Sequence, residues 1–414
     1  MTTSVPQTRV LVGLLALLSL IGYMLRSNIT VAQELMVPDL GLSMADMGLI
    51  TGLGFQLAYA IFQVPAGVLG DRFGAKPILG FSMLGMGIAS LASGLVGAAG
   101  GALILLFAAR SLLGVAQAAV YPVGAMAIRQ RVPSQHQTTA TAIFISAALL
   151  GSALAPLTLA PLTAAAGWRP VFLVSGLIGL LGAAAWFAFA PAIPRPAAVT
   201  RLGTQMRNAL ALFRDPDVVL LSLAYLLHSA VFFVFIFWFF RYLIDARGMS
   251  LLGSGVWGSI PPLTAFLLAP VGGMLADRLG RRYPTGRARR YVAVGCLLTA
   301  ALLVLLGATL SDPVVAIAAL SLSVAAINAA EGPFWVTITA LGGSAPGAAA
   351  GVLNLMGILG GVVSIWAVPH MRDALGWTAL LAVWAGVAGV AALLWLLVRV
   401  DRTNQPNVEA PAGP

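Results

Sequence analysis

The chain has 414 residues, of which 60% are hydrophobic and only 9% charged, with a formal net charge of +10. A soluble domain carries about 25% charged residues, so this inventory cannot clothe a water-exposed surface, and a mean hydropathy of +0.96 assigns the chain to lipid. A spanning helix needs roughly 20 apolar residues, and twelve candidate spans follow in chain order: 10–34, 46–69, 77–98, 101–127, 138–164, 170–190, 217–244, 253–276, 290–310, 313–340, 347–370 and 376–399. The first contains Arg26 and is followed by no small-residue cleavage site, so it reads as a helix and not as a signal peptide. The lone Cys296 has no partner for an internal disulfide and reads as a small core residue.

Lys and Arg placement predicts orientation. Of the 23 basic residues, only Arg169, Arg241, Arg247 and Arg372 fall at the outer side, and Arg26 and Arg110 lie deep within spans. All the rest fall on the side that holds both termini, which the positive-inside rule makes cytoplasmic. The net charge is therefore a topology signal, and no nucleic acid is expected as a partner. Residues 191–216, rich in Pro and Arg, read as a cytoplasmic linker between an amino-terminal six-helix bundle (1–190) and a carboxy-terminal one (217–400). The tail 401–414 reads as a disordered cytoplasmic segment.

One loop motif occurs twice. Gly67 to Lys76 and Gly273 to Arg282 both read G-x-L-x-D-R-x-G-x-[K/R], each between two apolar runs. The chain is thus two similar halves whose equivalent loops carry the same charged turn, as in carriers built from repeats. The turn resembles the loop between the second and third helices of the major facilitator superfamily, and its copy falls between the eighth and ninth. The resemblance implies an all-α membrane protein, with twelve transmembrane helices in two pseudo-symmetric six-helix bundles. The glycines allow close helix approach and a tight bend, and Asp71 and Asp277 can accept hydrogen bonds from helix amino-terminal amides or pair with arginines such as Arg129. Asp71, Arg72, Asp277 and Arg278 are accordingly expected to act in gating.

Cargo is read from charges inside helices. A charged side chain at mid-membrane costs on the order of 3 kcal/mol by insertion scales, so one that persists faces a cavity or has a partner. Arg26, Arg110 and Glu331 qualify. Tyr23 shares the face of Arg26, and Arg110, Gly114, Gln117 and Tyr121 fall on a single stripe at helical spacing. Glu34, Asp39 and Asp46 sit at or beyond the outer helix ends, which leaves both arginines without an acidic partner in their own half. Guanidinium forks match a carboxylate or phosphate in bidentate fashion, so a small anionic substrate is expected between the halves. The alternative for Arg110 is a pin to neighbouring backbone carbonyls.

At these residues the chain resembles one branch of the superfamily. Tyr23 to Ala32 (Y-M-L-R-S-N-I-T-V-A), Met47 to Gly67, Arg110 to Pro122 (R-S-L-L-G-V-A-Q-A-A-V-Y-P), Trp238 to Leu251, and Pro333 with Trp335 followed by Gly351 to Gly361 are similar to the anion:cation symporter family of sugar-acid, sialic-acid and vesicular glutamate carriers. The resemblance makes Arg26 the main carboxylate anchor and Arg110 a charge-coupling residue. It adds Tyr59, Trp335 and Asn354 as cavity contacts, with Tyr23 and Gln117 beside the arginines. It also implies a monomer in the bacterial inner membrane.

The chain departs from that family where protons are handled. Leu25 stands where the sugar-acid carriers commonly have a carboxylate, and Gln117 where they have a glutamate. Either Glu331 or His228 has taken over, or the driving ion is different, or the protein is a uniporter or exchanger. Glu331 is deep in an apolar helix, and His228 is midway along the seventh. The alternatives to organic-anion transport are a phosphate or nitrate carrier, a drug or cation efflux antiporter suggested by Gly151, Ala155 and Pro156, and a non-transporting sensor. No phosphate-binding G-x-x-x-x-G-K-[S/T] loop, metal-ligand cluster or nucleophile triad occurs, so no enzyme activity, cofactor or metal is expected.

Overall fold

The computed structural model describes residues 5–97, 101–193, 202–249 and 256–400. These are helical, without strands among the described residues. The spans are α1 (Pro6–Asp39), α2 (Asp46–Ile61 continuing as Gln63–Phe73 after a 42° bend), α3 (Ala75–Gly94), α4 (Ala102–Arg131), α5 (Ser134–Ala166), α6 (Trp168–Phe189), α7 (Pro216–Asp245), α8 (Val256–Leu279), α9 (Thr285–Thr309) and α10 (Pro313–Leu341). A final helical run, Pro346–Leu397, turns at Gly376 (φ 75°, ψ 170°) and so makes two passages, α11 (346–375) and α12 (377–397). The second, predicted as a plain helix, instead winds from Leu49 to Leu57 as a π-helix. In the predicted linker, a short helix occupies Leu202–Ala211. The tail from Asp401 onward lies outside the described residues.

Two compact units result. One comprises the chain up to Val132 and from Ile143 to Leu202. The other comprises Pro133–Ala142 and everything from Gly203 on. The first turns of α5, which the sequence assigns to the amino-terminal bundle, therefore group with the second unit. Spans carry large apolar side chains that stay exposed, among them Ile104, Leu157, Leu181, Leu267 and Trp366. In hydrocarbon that exposure costs nothing, and helix association has to come from close packing instead.

That packing repeats between the units. A Cβ added to Gly151 of α5 would lie 2.2 Å from the Leu20 carbonyl oxygen of α1, and one added to Gly360 of α11 would lie 2.2 Å from the Leu226 carbonyl oxygen of α7. The two contacts are equivalents under the repeat. Gly151, noted for its antiporter-like pattern, thus has a packing reason to be glycine.

Breaks in the helices also share a cause. Phe62, Ala119 and Ala330 each stand at an interruption, and each is followed three residues later by a proline: Pro65, Pro122 and Pro333. Proline has no N–H and its ring clashes with the carbonyl four residues back. The ladder therefore opens just upstream, and it opens deep in the spans.

Gly151→Val and Gly360→Val should each push a helix pair apart and cost about 1–3 kcal/mol, seen as a lower unfolding temperature in detergent. Gly13→Val, where an added Cβ meets nothing within 4 Å, should leave it unchanged.

Candidate functional site

In the first unit Arg26 projects from α1 into an aromatic collar. Its guanidinium carbon lies 4.8 Å from the Phe55 ring centre, 5.3 Å from Tyr23 and 5.7 Å from Tyr59. Nη2 donates to Gln56 Oε1 at 3.0 Å. Phe55 and Gln56 belong to the π-helix, whose i to i+5 bonding rotates consecutive side chains away from ordinary helical phase. Gly114 of α4 lets that segment approach, since a Cβ there would sit 2.4 Å from the Phe55 carbonyl oxygen. Arg26 is only partly buried. Among the described residues no carboxylate lies within ion-pair distance of it.

Arg110 occupies a different environment. It is buried, donates from Nη1 to the Leu25 carbonyl at 3.3 Å and from Nη2 to Asn28 Oδ1 at 2.7 Å, and lies 5.3 Å from the Phe172 ring. Asn28 in turn donates to Ser90 at 3.1 Å and Ser175 at 2.8 Å. The guanidinium therefore ties α4 to α1, and through Asn28 to α3 and α6. These are the contacts of a pin to a backbone carbonyl, with a serine–asparagine network added, and they set the environment of Arg110 apart from that of Arg26. The helix α4 breaks between Gln117 and Val120, with Ala118 and Ala119 still in right-handed helical conformation.

Gln117 is 1% exposed, and neither of its side-chain polar atoms has a hydrogen-bond partner. The Cβ position of Gly22 lies 3.3 Å from its Nε2. Tyr121 shares a hydrogen bond with Ser19 at 3.0 Å, and its ring meets Tyr23 edge-on at 6.2 Å. Tyr23, Arg26, Tyr59 and Tyr121 are thus held around one region of α1.

The second unit gathers the other candidates. Glu331 Oε2 accepts from Tyr225 Oη at 3.0 Å and from Trp335 Nε1 at 2.9 Å, while Oε1 lies 4.0 Å from His228 Nε2. That imidazole nitrogen is 3.0 Å from the Ile327 carbonyl. Glu331 and His228, predicted separately, are neighbours, and Trp335 is committed to Glu331. Tyr225 escaped notice in the sequence although it stands one helical turn before His228. Asn354 is buried in α11, where a Cβ at Gly357 would meet the Tyr225 ring at 2.6 Å.

The repeated turns are alike in sequence and different in conformation. Gly74 adopts φ 86°, whereas Gly280 is right-handed helical at φ −63°. Asp71 is buried, with Arg72 beside it and its guanidinium 5.2 Å from the Phe73 ring. Asp277 accepts from the backbone amides of Thr138 (3.3 Å) and Thr139 (2.8 Å) and from Thr139 Oγ1 (2.6 Å). It caps the amino terminus of α5 as a carboxylate should, the amides being otherwise unpaired and the helix dipole favouring negative charge. Arg278 is exposed.

The family model for the Major Facilitator Superfamily matches residues 15–365. The chain belongs to that superfamily. This facilitator is 28% identical to a hexuronate transporter of Bacillus subtilis (strain 168), over 78% of each chain. It is 29% identical to a "Probable galactarate/D-glucarate transporter" of the same organism, over 71% of this chain and 70% of that one. Its fold matches a point variant of the Escherichia coli fucose:proton symporter, with a TM-score of 0.74 at 16% identity, covering 95% of this chain and 99% of the other. These two Bacillus relatives are sugar-acid carriers by name, in keeping with the branch that the motifs around Arg26 and Arg110 resemble. The protein is a multi-pass membrane transporter and no enzyme.

Arg110→Met should remove the pin and leave Asn28 and the Leu25 carbonyl without their charged donor. We expect a loss of about 2–4 kcal/mol of stability, read as a lower unfolding temperature, and a much smaller shift in Arg26→Met.

Proposed function

We propose that this facilitator is a secondary transporter of sugar acids or related monocarboxylates, working by alternating access, with Arg26 as the carboxylate anchor. The observation that carries the reading is the state of Arg26. Of five N–H donors in a planar fork, one meets a neutral amide oxygen, and no further acceptor is present among the described residues. The aromatic collar supports the cation by about 0.5–2 kcal/mol per ring contact and leaves the fork's edge to an incoming carboxylate. Tyr23, Tyr59, Tyr121 and the unpartnered amide of Gln117 supply the hydroxyl and amide groups that a polyhydroxylated acid needs. The sugar-acid relatives favour such a cargo over phosphate or nitrate, and the positive charge of Arg26 disfavours cationic drugs. The basic loops favour cytoplasmic termini in a bacterial inner membrane, and we take the working unit as a monomer.

Arg26→Ala should lower binding of D-glucuronate or D-glucarate at least about a hundredfold, the worth of a bidentate charge-assisted pair. Arg26→Lys should recover little of it, since a point charge does not reproduce the fork. Isothermal titration on purified protein with intact unfolding profiles checks both. Undiminished affinity in Arg26→Ala overturns the anchor, and binding of phosphate or nitrate in place of the acids overturns the cargo.

Gating is assigned to the repeated turns. Asp277→Asn keeps an acceptor for Thr139 but loses the charge that α5 caps against, so transport of labelled glucuronate into liposomes should slow roughly tenfold. Equilibrium affinity should stay within a few-fold. A collapse of affinity with normal rates would move Asp277 out of the gate.

A further inference from the structure

We propose that Glu331 is the proton-binding site of this carrier, with Tyr225 as the residue that positions its carboxylate, so that the coupling proton is taken up within the second unit. The proposal rests on the anion-transport reading above.

Three observations lead there. Glu331 is 7% exposed near the middle of α10, at a depth where an acidic side chain is a functional group by default. No Lys or Arg lies within ion-pair distance of it among the described residues. Finally, its two oxygens are used unequally. Oε2 accepts from both donors, the Tyr225 hydroxyl and the Trp335 indole, while Oε1 faces only the His228 ring at 4.0 Å.

The helix break explains how the cluster is built. Pro333 removes an N–H from the ladder, and Ala330 bonds back to Ile327 at 3.1 Å. The same Ile327 carbonyl accepts from His228, which assigns the imidazole hydrogen to Nε2 and leaves Nδ1 as a buried lone pair without a partner. Gly272 of α8 permits the opened turn, since a Cβ there would lie 2.1 Å from the Ala329 carbonyl oxygen.

Titratable neighbours are few. Besides Tyr225 and His228 from α7, the span α10 and residues 346–369 of α11 carry no other acid, base, tyrosine or cysteine. On α8, Asp277 is engaged with Thr138 and Thr139, and Arg278 is exposed. On α9, Arg289 donates to Thr138 and Arg290 to the Val398 carbonyl, Arg287 belongs to the same end, and Tyr291 and Cys296 complete the set.

The step is a simple protonation. A hydronium ion delivered by water gives a proton to Oε1: its O–H bond breaks as the carboxyl O–H forms, and a water molecule leaves. The acid form keeps Oε2 as acceptor for Tyr225 and Trp335, so the cluster needs no rearrangement. Release reverses it. In the first unit Gln117 and Leu25 offer no such group.

The test uses the full chain in liposomes with labelled D-glucuronate, measuring accumulation under an inward proton gradient and counterflow without one. Glu331→Gln should lose gradient-driven accumulation at least about tenfold while counterflow persists, because exchange needs no net proton movement. Tyr225→Phe removes a donor to the charged form and should move the midpoint of the pH dependence upward by roughly half a unit or more. A purely capping role at the start of the second limb of α10 would leave that midpoint in place. Accumulation undiminished in Glu331→Gln overturns the proposal, as does an unmoved midpoint in Tyr225→Phe, the variant that decides if Glu331→Gln fails to fold. Absence of counterflow in the unaltered protein would instead overturn the anion reading.

Discussion

A guanidinium in hydrocarbon must have its donors met or must face a cavity, and the first unit answers that demand in both ways. Arg110 is met by the Leu25 carbonyl and Asn28, with Ser90 and Ser175 behind. Arg26 has rings on its flanks and a single neutral amide on its edge. The two are coupled through the backbone: the carbonyl that Arg110 grips belongs to the residue just before Arg26. Charge-assisted hydrogen bonds contribute about 1.5–3 kcal/mol each, so the buried arginine fixes where the other one begins. If Arg26 is the anchor proposed above, Arg110 acts as a positioning residue for it, through the Leu25 carbonyl that it grips.

Irregular backbone is tolerated at membrane depth only where protein encloses it, and here three of the irregular stretches lie beside polar groups. The π-helix Leu49–Leu57 brings Phe55 and Gln56 to Arg26. The interruption before Pro122 precedes Tyr121, and the one before Pro333 sets Glu331 at a helix start with His228 on the neighbouring carbonyl. Regular 3.6-residue winding would satisfy every amide internally and leave none of these side chains in its present direction.

The same fact sets how far the sequence can be read. Span positions, the repeated turn, the isolation of Arg26 and the depth of Glu331 follow from composition and spacing, because hydrocarbon prices charge and apolar length directly. That His228 and Glu331 are neighbours does not follow, since pairing across α7 and α10 is a tertiary event. Gln56 was illegible for a sharper reason: its direction depends on a π-helix that no helical wheel anticipates. Arg110, Gln117 and Tyr121, placed on one stripe by their spacing, all meet α1, at Leu25, Gly22 and Ser19, although α4 breaks before Pro122. Asn28 lay in view, two residues beyond Arg26 in the quoted motif, and its role needed the serines of α3 and α6. Gly74 and Gly280 occupy matching motif positions and adopt different conformations, so likeness of sequence did not carry likeness of turn.

Each unit, taken by itself, is electrically unfinished inside the membrane. The first holds a guanidinium with no carboxylate, and the second a carboxyl with no fixed cation. On the readings proposed above, an anion at Arg26 would neutralise the one and a proton on Glu331 the other. Because moving an uncompensated charge through low dielectric is costly, each unit rearranges most easily once its own charge is cancelled. With Leu25 and Gln117 in the first unit, the proposed coupling would draw on the rigidity of each unit, which Arg110 and the Gly151 contact supply in the first and the Gly360 contact in the second.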